Sequence, residues 1–187
     1  MEDFLKKLKL LKEISISLNT QRSEFVPALK KHVDSAKINN PFSRLEDIFT
    51  SSKNSYKGIV TSRDFEIKKR LRFGDSKFSG AKITGTFQDF GDTLIIKAKV
   101  NAWNNFMFVF YGFVIIFYFV FGILMVPEII NSGEDFFSVI IIPFLFIHAF
   151  FMLGMPYFFM RRSVLRTLRE FEKEIHFIQS KEVNNKL

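Results

Sequence analysis

Between residues 106 and 160 the chain carries two apolar segments with no Asp, Glu, Lys or Arg in either. The first, "FMFVFYGFVIIFYFVFGILMV" (106–126), has 21 residues, and the second, "FFSVIIIPFLFIHAFFMLGMPYFFM" (136–160), has 25. At 1.5 Å per residue the first is a helix of about 31 Å, the thickness of a bilayer's hydrocarbon core. The second can cross with tilt, or with its two prolines bending it. A buried helix of a soluble domain seldom runs this far without a polar face. The pattern predicts two transmembrane helices joined by a link at 127–135.

The flanking charges predict an orientation. Lys97 and Lys99 precede the first segment, and Arg161, Arg162, Arg166 and Arg169 follow the second. The link "PEIINSGED" holds Glu128, Glu134 and Asp135 and no base. Bases are retained on the cytoplasmic side. The expectation is a multi-pass protein of the cell (inner) membrane, with both termini cytoplasmic and the acidic link external. Trp103 and Tyr157 suit the aromatic belt of the cytoplasmic side. Pro127 is expected to end the first helix, with "NSG" supplying turn residues.

The formal charge of +8 is built from +8 over residues 1–105 (20 bases, 12 acids), −3 over 127–135 and +3 over 161–187 (seven bases, four acids). With the apolar segments explained, an anionic lipid surface is the simplest partner for that charge. Cysteine is absent, which excludes disulfides, thiolate zinc sites and a cysteine nucleophile. "MEDFLKKLKL" has no apolar run or cleavage site of the secretory kind, so no removable signal is expected.

Residues 1–105 read as a cytoplasmic α+β region. "EISISLN" alternates Ile14, Ile16 and Leu18 with polar residues, the period of a half-buried strand. A helix is expected from an N-cap at Ser23, with Pro27 its fourth residue and Phe25, Leu29, Val33 and Ala36 along one face. A short helix is expected over 43–49. "YKGIVTSRDFEIKKRLRF" reads as one extended segment, with Ile59, Phe65, Ile67, Leu71 and Phe73 on one side and Asp64, Glu66, Lys68, Arg70 and Arg72 on the other. "FGDSKFSG" turns the chain. "AKITGTF" and "TLIIKAKV" flank "QDFGD" as a hairpin, with Leu94, Ile96, Ala98 and Val100 forming an apolar face. That face needs cover. In residues 161–187, Val164, Leu168, Phe171, Ile175 and Ile178 form a helical stripe that can supply it. The fold class is therefore an α+β membrane protein, a small cytoplasmic sheet-plus-helix domain with an inserted two-helix transmembrane hairpin. A short coiled-coil seam is the alternative use of the stripe.

This order of elements, with Tyr56 and Gly58 in "YKGIV", Phe65, Ile67 and Arg70 in "FEIKKR", and a "GDT" turn before the strand entering the first span, resembles a broad group of small uncharacterised bacterial two-span membrane proteins. The resemblance covers residues 13–125 and implies the architecture without an activity. "KFSGAK" departs from it, with glycine where related sequences carry a proline after the Phe78 position.

Candidate site residues are few. Three histidines, His32, His148 and His176, are too dispersed to suggest a metal, and no hydrolase, nucleotide or dinucleotide motif occurs. No catalytic residue, metal or cofactor is expected. His148 lies deep in a span, where an ionisable ring is either functional or bonded to a neighbouring helix, with Tyr111 and Tyr118 as candidate partners. Gly112, Gly122, Ala149 and Gly154 offer places for close helix approach. Lys68, Lys69, Arg70 and Arg72, with Arg161, Arg162, Arg166 and Arg169, are candidates to lie on anionic headgroups, the bland alternative being a solvated face. Phe4, Leu8 and Leu11 on one face of an N-terminal helix would add to such a surface. Nucleic acid is disfavoured as a partner, because Phe65 and Phe73 fall on the apolar side instead of among the bases. Two functions fit. The first is a non-enzymatic membrane anchor or sensor whose cytoplasmic domain binds a protein, lipid or small ligand. The second is an oligomeric membrane effector or pore, for example in antiviral defence, triggered through that domain.

Overall fold

Leu94, Ile96, Ala98 and Val100 are each at most 2% exposed, and the sheet is built around their strand. The computed structural model describes residues 1–36, 38, 54–70, 80–131 and 136–183. The elements are α1 (Glu2–Lys7), β1 (Leu11–Leu18), α2 (Arg22–His32), β2 (Val33–Ser35), β3 (Tyr56–Val60), β4 (Asp64–Lys69), β5 (Lys82–Phe90), β6 (Thr93–Asn101), α3 (Asn105–Asn131) and α4 (Phe136–Ile178), with a π-helical turn at Gln179–Val183. They divide into two compact units, Met1–Trp103 with Met160–Leu187, and Asn104–Phe159.

The first unit is a six-stranded sheet in the order β1-β6-β5-β4-β3-β2. Every neighbouring pair is antiparallel except β2 and β3. Strand alternation sends Ile16, Leu18, Phe65, Ile67, Ile83 and Phe87 to the same face as the β6 residues. Two helices cover that face. α2 contributes Phe25 and Leu29, and the C-terminal part of α4 contributes Val164, Phe171 and Ile175. Phe25, Phe87, Phe65 and Phe171 run in a chain of ring contacts with centroids 6.5, 5.2 and 5.7 Å apart. The stripe in residues 161–187 thus packs on the sheet, although Leu168 is only half-buried and Thr167 sits inside the contact.

Two glycines set the local geometry. Gly58, at φ +153°, has the Glu66 carbonyl oxygen 2.1 Å from where a Cβ would stand. Gly85 lies opposite Phe65 and leaves room for its ring, whose Cζ would be 2.4 Å from a Cβ there.

Several expectations are corrected. The N-cap of α2 is Gln21, whose carbonyl accepts from Glu24 and Phe25, while Ser23 Oγ bonds the Gln21 side chain at 3.4 Å. Pro27 is the sixth helical residue instead of the fourth, so the helix forgoes the bond from that position to the Ser23 carbonyl. The helix stops at His32, because Val33 turns extended (φ −122°, ψ 120°) and pairs with Tyr56 in parallel. Residues 56–70 are a hairpin, not one segment, so Ile59 points away from Phe65 and is 51% exposed. Phe4, Leu8 and Leu11 do not share a helix face. α1 ends at Lys7, Lys9 adopts φ +59°, and Leu10 N–H and Lys9 N–H donate to the Leu5 and Lys6 carbonyls. That is a Schellman stop, with Leu5 and Leu10 buried beside it. The expected helix at 43–49, residues 71–79 with Leu71, Arg72 and Phe73, and the turn at 132–135 lie outside the described residues.

The second unit holds α3 and the first part of α4. Both helices are long and apolar enough to cross a membrane, and only 11% and 6% of their most apolar windows are buried. Pro127 does not end α3, which continues to Asn131 although the proline has no N–H to donate to the Ile123 carbonyl. Nor do the glycines mark close contacts, since nothing among the described residues lies within 4 Å of a Cβ built at Gly112 or Gly122, and Gly154 meets only Phe158.

Candidate functional site

The sheet face away from α2 and α4 carries mostly polar side chains, with Ile59 and Ile95 among them. Pairing aligns Glu13, Lys99, Thr84, Glu66 and Ile59 in one row across β1, β6, β5, β4 and β3. Ser15, Lys97, Thr86 and Asp64 form the next. Together they line a groove of about 1050 Å³. α1 borders it: Glu2 accepts from Lys99 at 3.1 Å, and Glu13 lies 3.0 Å from Lys6 and 3.5 Å from Lys99. Lys82 pairs with Glu66 at 2.8 Å. The hydrogen bond from Lys6 holds the Glu13 carboxyl below its usual range, and the bond to Glu2 pushes the Lys99 ammonium up. At the groove's end Thr61 Oγ1 donates to Asp64 Oδ1 at 2.6 Å and accepts from the Arg63 and Asp64 N–H groups, which fixes the β3–β4 turn. Lys97 has no carboxylate partner among the described residues. Paired charges, hydroxyls and one available ammonium on a rigid sheet suit recognition of a polar partner.

The cationic candidates do not form one set. Consecutive strand residues face opposite ways, so Lys68 joins Lys57 and Lys82 on the groove side while Lys69 sits opposite Tyr56 on the helix-covered side. Lys69 Nζ donates to Glu170 at 2.8 Å and Arg166 Nε to the same carboxylate at 2.9 Å. Burial raises the Glu170 carboxyl, but these two bonds outweigh it and hold the group below its ordinary value. Arg70 is tied to Asp34 through Nε at 3.0 Å and Nη2 at 2.5 Å, and Asn54 donates to the same side chain. Arg169 donates to the Leu165 carbonyl at 3.3 Å. Arg161 is half-buried and Arg162 exposed, neither with a carboxylate partner among the described residues. Arg72 lies outside those residues.

In the apolar unit two of the three polar candidates meet, Tyr118 and His148, while Tyr111 bonds a backbone carbonyl. Tyr118 Oη and His148 Nδ1 are 2.6 Å apart, their donor and acceptor roles set by the histidine tautomer. Phe144 stacks on the imidazole at 6.0 Å and 10°. Tyr111 Oη donates to the Leu153 carbonyl at 3.2 Å. These bonds join α3 to α4 within the unit.

Among the described residues no three His, Asp or Glu side chains are placed to hold a metal ion. In comparisons with protein families, curated proteins and solved structures, nothing matches this chain. The groove residues Thr84, Thr86 and Glu13 were not singled out by sequence reasoning, and Lys97 only as a base flanking the first apolar segment. The signal was present as the polar half of the alternation whose apolar half is Leu94, Ile96, Ala98 and Val100.

Proposed function

We propose that the chain is an integral protein of the cell (inner) membrane, crossing it twice with both termini cytoplasmic, and that its α+β domain recognises a polar protein, lipid headgroup or small ligand through the groove. One observation carries the membrane part: the apolar side chains of α3 and the first part of α4 face outward, with 11% and 6% of the windows buried. A core helix of a soluble protein would show the reverse. The acid-only link between base-flanked segments supports the orientation. The groove, lined by Ser15, Thr84, Thr86 and Lys97, supports recognition.

Two measurements test this. Alkaline extraction of membranes should leave the protein in the pellet. Topology reporters fused after Leu187 and inserted at Ser132 should read cytoplasmic and external respectively, and an external Leu187 reporter overturns the orientation. For the groove, Lys97→Glu should lower retention of whatever co-purifies with the protein without lowering its melting temperature. Equal retention removes the groove from the function.

A further inference from the structure

The His148 side chain is left with half of its hydrogen bonding unmet. A neutral imidazole carries one donor and one acceptor nitrogen. Nδ1 is taken by Tyr118, and Nε2 has no partner among the described residues. The ring is exposed on the unit's surface. It stands twelve residues from each end of the charge-free segment 136–160, about 18 Å of helix either way, too far for so short a side chain to reach an interface. Hydrocarbon offers a polar atom nothing, so leaving Nε2 against lipid tails is costly.

We infer that a second copy of this chain covers this face, with Nε2–H of each His148 donating to the Tyr118 hydroxyl of the other copy. The donor and acceptor count selects that occupant. When Tyr118 O–H donates to its own Nδ1, the imidazole is the Nε2–H tautomer and the hydroxyl keeps free lone pairs at the same depth. A two-fold pair then closes a ring of four groups in which every polar hydrogen is used, as a self-complementary interface requires. Phe144, stacked on the imidazole, limits rotation of the ring. Phe144 (62% exposed), Phe151 (52%) and Met155 (44%) lie at −4, +3 and +7 from His148, giving the second copy an apolar surface along the same helix face.

This inference rests on the membrane reading, and the test separates the two. Because the natural chain has no cysteine, single cysteines can be placed at Phe144, on the His148 face, and at Phe146, about 200° away round the helix. Full-length protein in native membranes is then oxidised. Phe144→Cys should yield several-fold more disulfide dimer than Phe146→Cys, and adding His148→Phe or Tyr118→Phe should abolish that preference. Equal yields at the two positions, or an unchanged preference in both second-site variants, overturn the pairing. Alkaline extraction of the same samples reads insertion independently. Release into the supernatant overturns the membrane reading and this inference together, whereas retention without the Phe144 preference overturns the pairing alone.

Discussion

The sheet unit and the apolar helical unit treat the same kind of side chain in opposite ways. Phe25, Ile83, Leu94 and Phe171 are at most 1% exposed in the first, while Phe113, Phe119, Phe144 and Phe146 are 69, 67, 62 and 75% exposed in the second. Aromatic residues are denser in the second unit, 18 of its 56 residues against 13 of the other 131, but pattern decides which of them are buried. In β6 four of the five residues that alternate with Leu94, Ile96, Ala98 and Val100 are polar, Ile95 being the exception, so one face can meet water while the other is buried. Residues 106–126 have no polar face to give, and folding inward would still leave apolar surface outside. An apolar residue marks a core only where its neighbours supply the alternative face.

The largest expected effect breaks or upholds that contrast directly. Phe171→Ala removes a fully buried ring in contact with Phe65 and should cost about 3–5 kcal/mol of sheet-unit stability. Phe119→Ala should stay within about 0.5 kcal/mol, the range of a substitution away from packed features. Denaturant unfolding in nanodiscs, followed by the fluorescence of Trp103, the single tryptophan, compares them. Equal costs would mean that the helical unit packs as a core after all.

Glycine sharpens the same comparison. Gly58→Ala forces a Cβ against the Glu66 carbonyl at a φ that L residues rarely adopt, and should cost about 3 kcal/mol. Gly112→Ala meets nothing within 4 Å and gains helix propensity, so it should be neutral or stabilising by up to about 1 kcal/mol. Melting temperatures of the two variants decide the matter, and a destabilised Gly112→Ala would reveal a helix contact at that position.

The strand of Leu94, Ile96, Ala98 and Val100 and the covering stripe of Phe171 and Ile175 were legible because their periods are local properties of the sequence. The β3–β4 hairpin was not. Ile59, Phe65 and Ile67 share odd positions, so one continuous strand fits them, but the turn at residues 61–63 pairs Val60 with Phe65 and resets the faces. It is Gly58 that lies opposite Ile67, and a glycine gives no apolar signal. β2 escaped because its three residues gain their structure from parallel pairing with a strand more than twenty positions away. The groove was hidden for a related reason. Each of its residues is readable as a strand's polar half, yet Glu13, Lys99, Thr84 and Glu66 become neighbours only through register. Tyr118 and His148 could be named as partners beforehand because a span offers so few polar groups.

Two ionisable groups on the covered face predict opposite pH limbs. Glu170 has its folded pKa depressed below the reference value of 4.5. Its stabilisation is complete above that value and is lost as pH falls through the folded pKa, because the unfolded chain takes up the proton first. Tyr56 is shifted upward from 10.0, by burial and then by the negative charges of Glu174 and Glu170. Stability is complete below pH 10 and falls above it, as the unfolded phenol ionises while the folded one stays neutral. Glu170→Gln should flatten the acid limb and Tyr56→Phe the alkaline limb in melting curves taken across pH. An acid limb unchanged by Glu170→Gln would remove the Lys69 and Arg166 bonds as its source.

The smallest effect belongs to the open face. Lys82 and Glu66 form an ion pair with side chains 37 and 39% exposed, so screening by water should limit the cost of Glu66→Gln to about 0.5 kcal/mol or less. The same melting measurement used for Phe171→Ala reads it. A small value means that the groove's charges are not needed to hold the sheet together and remain available to a partner, which is the property that separates the two faces of one sheet. A loss above about 1 kcal/mol, beyond what exposed pairs supply, would instead make Glu66 part of the structural frame.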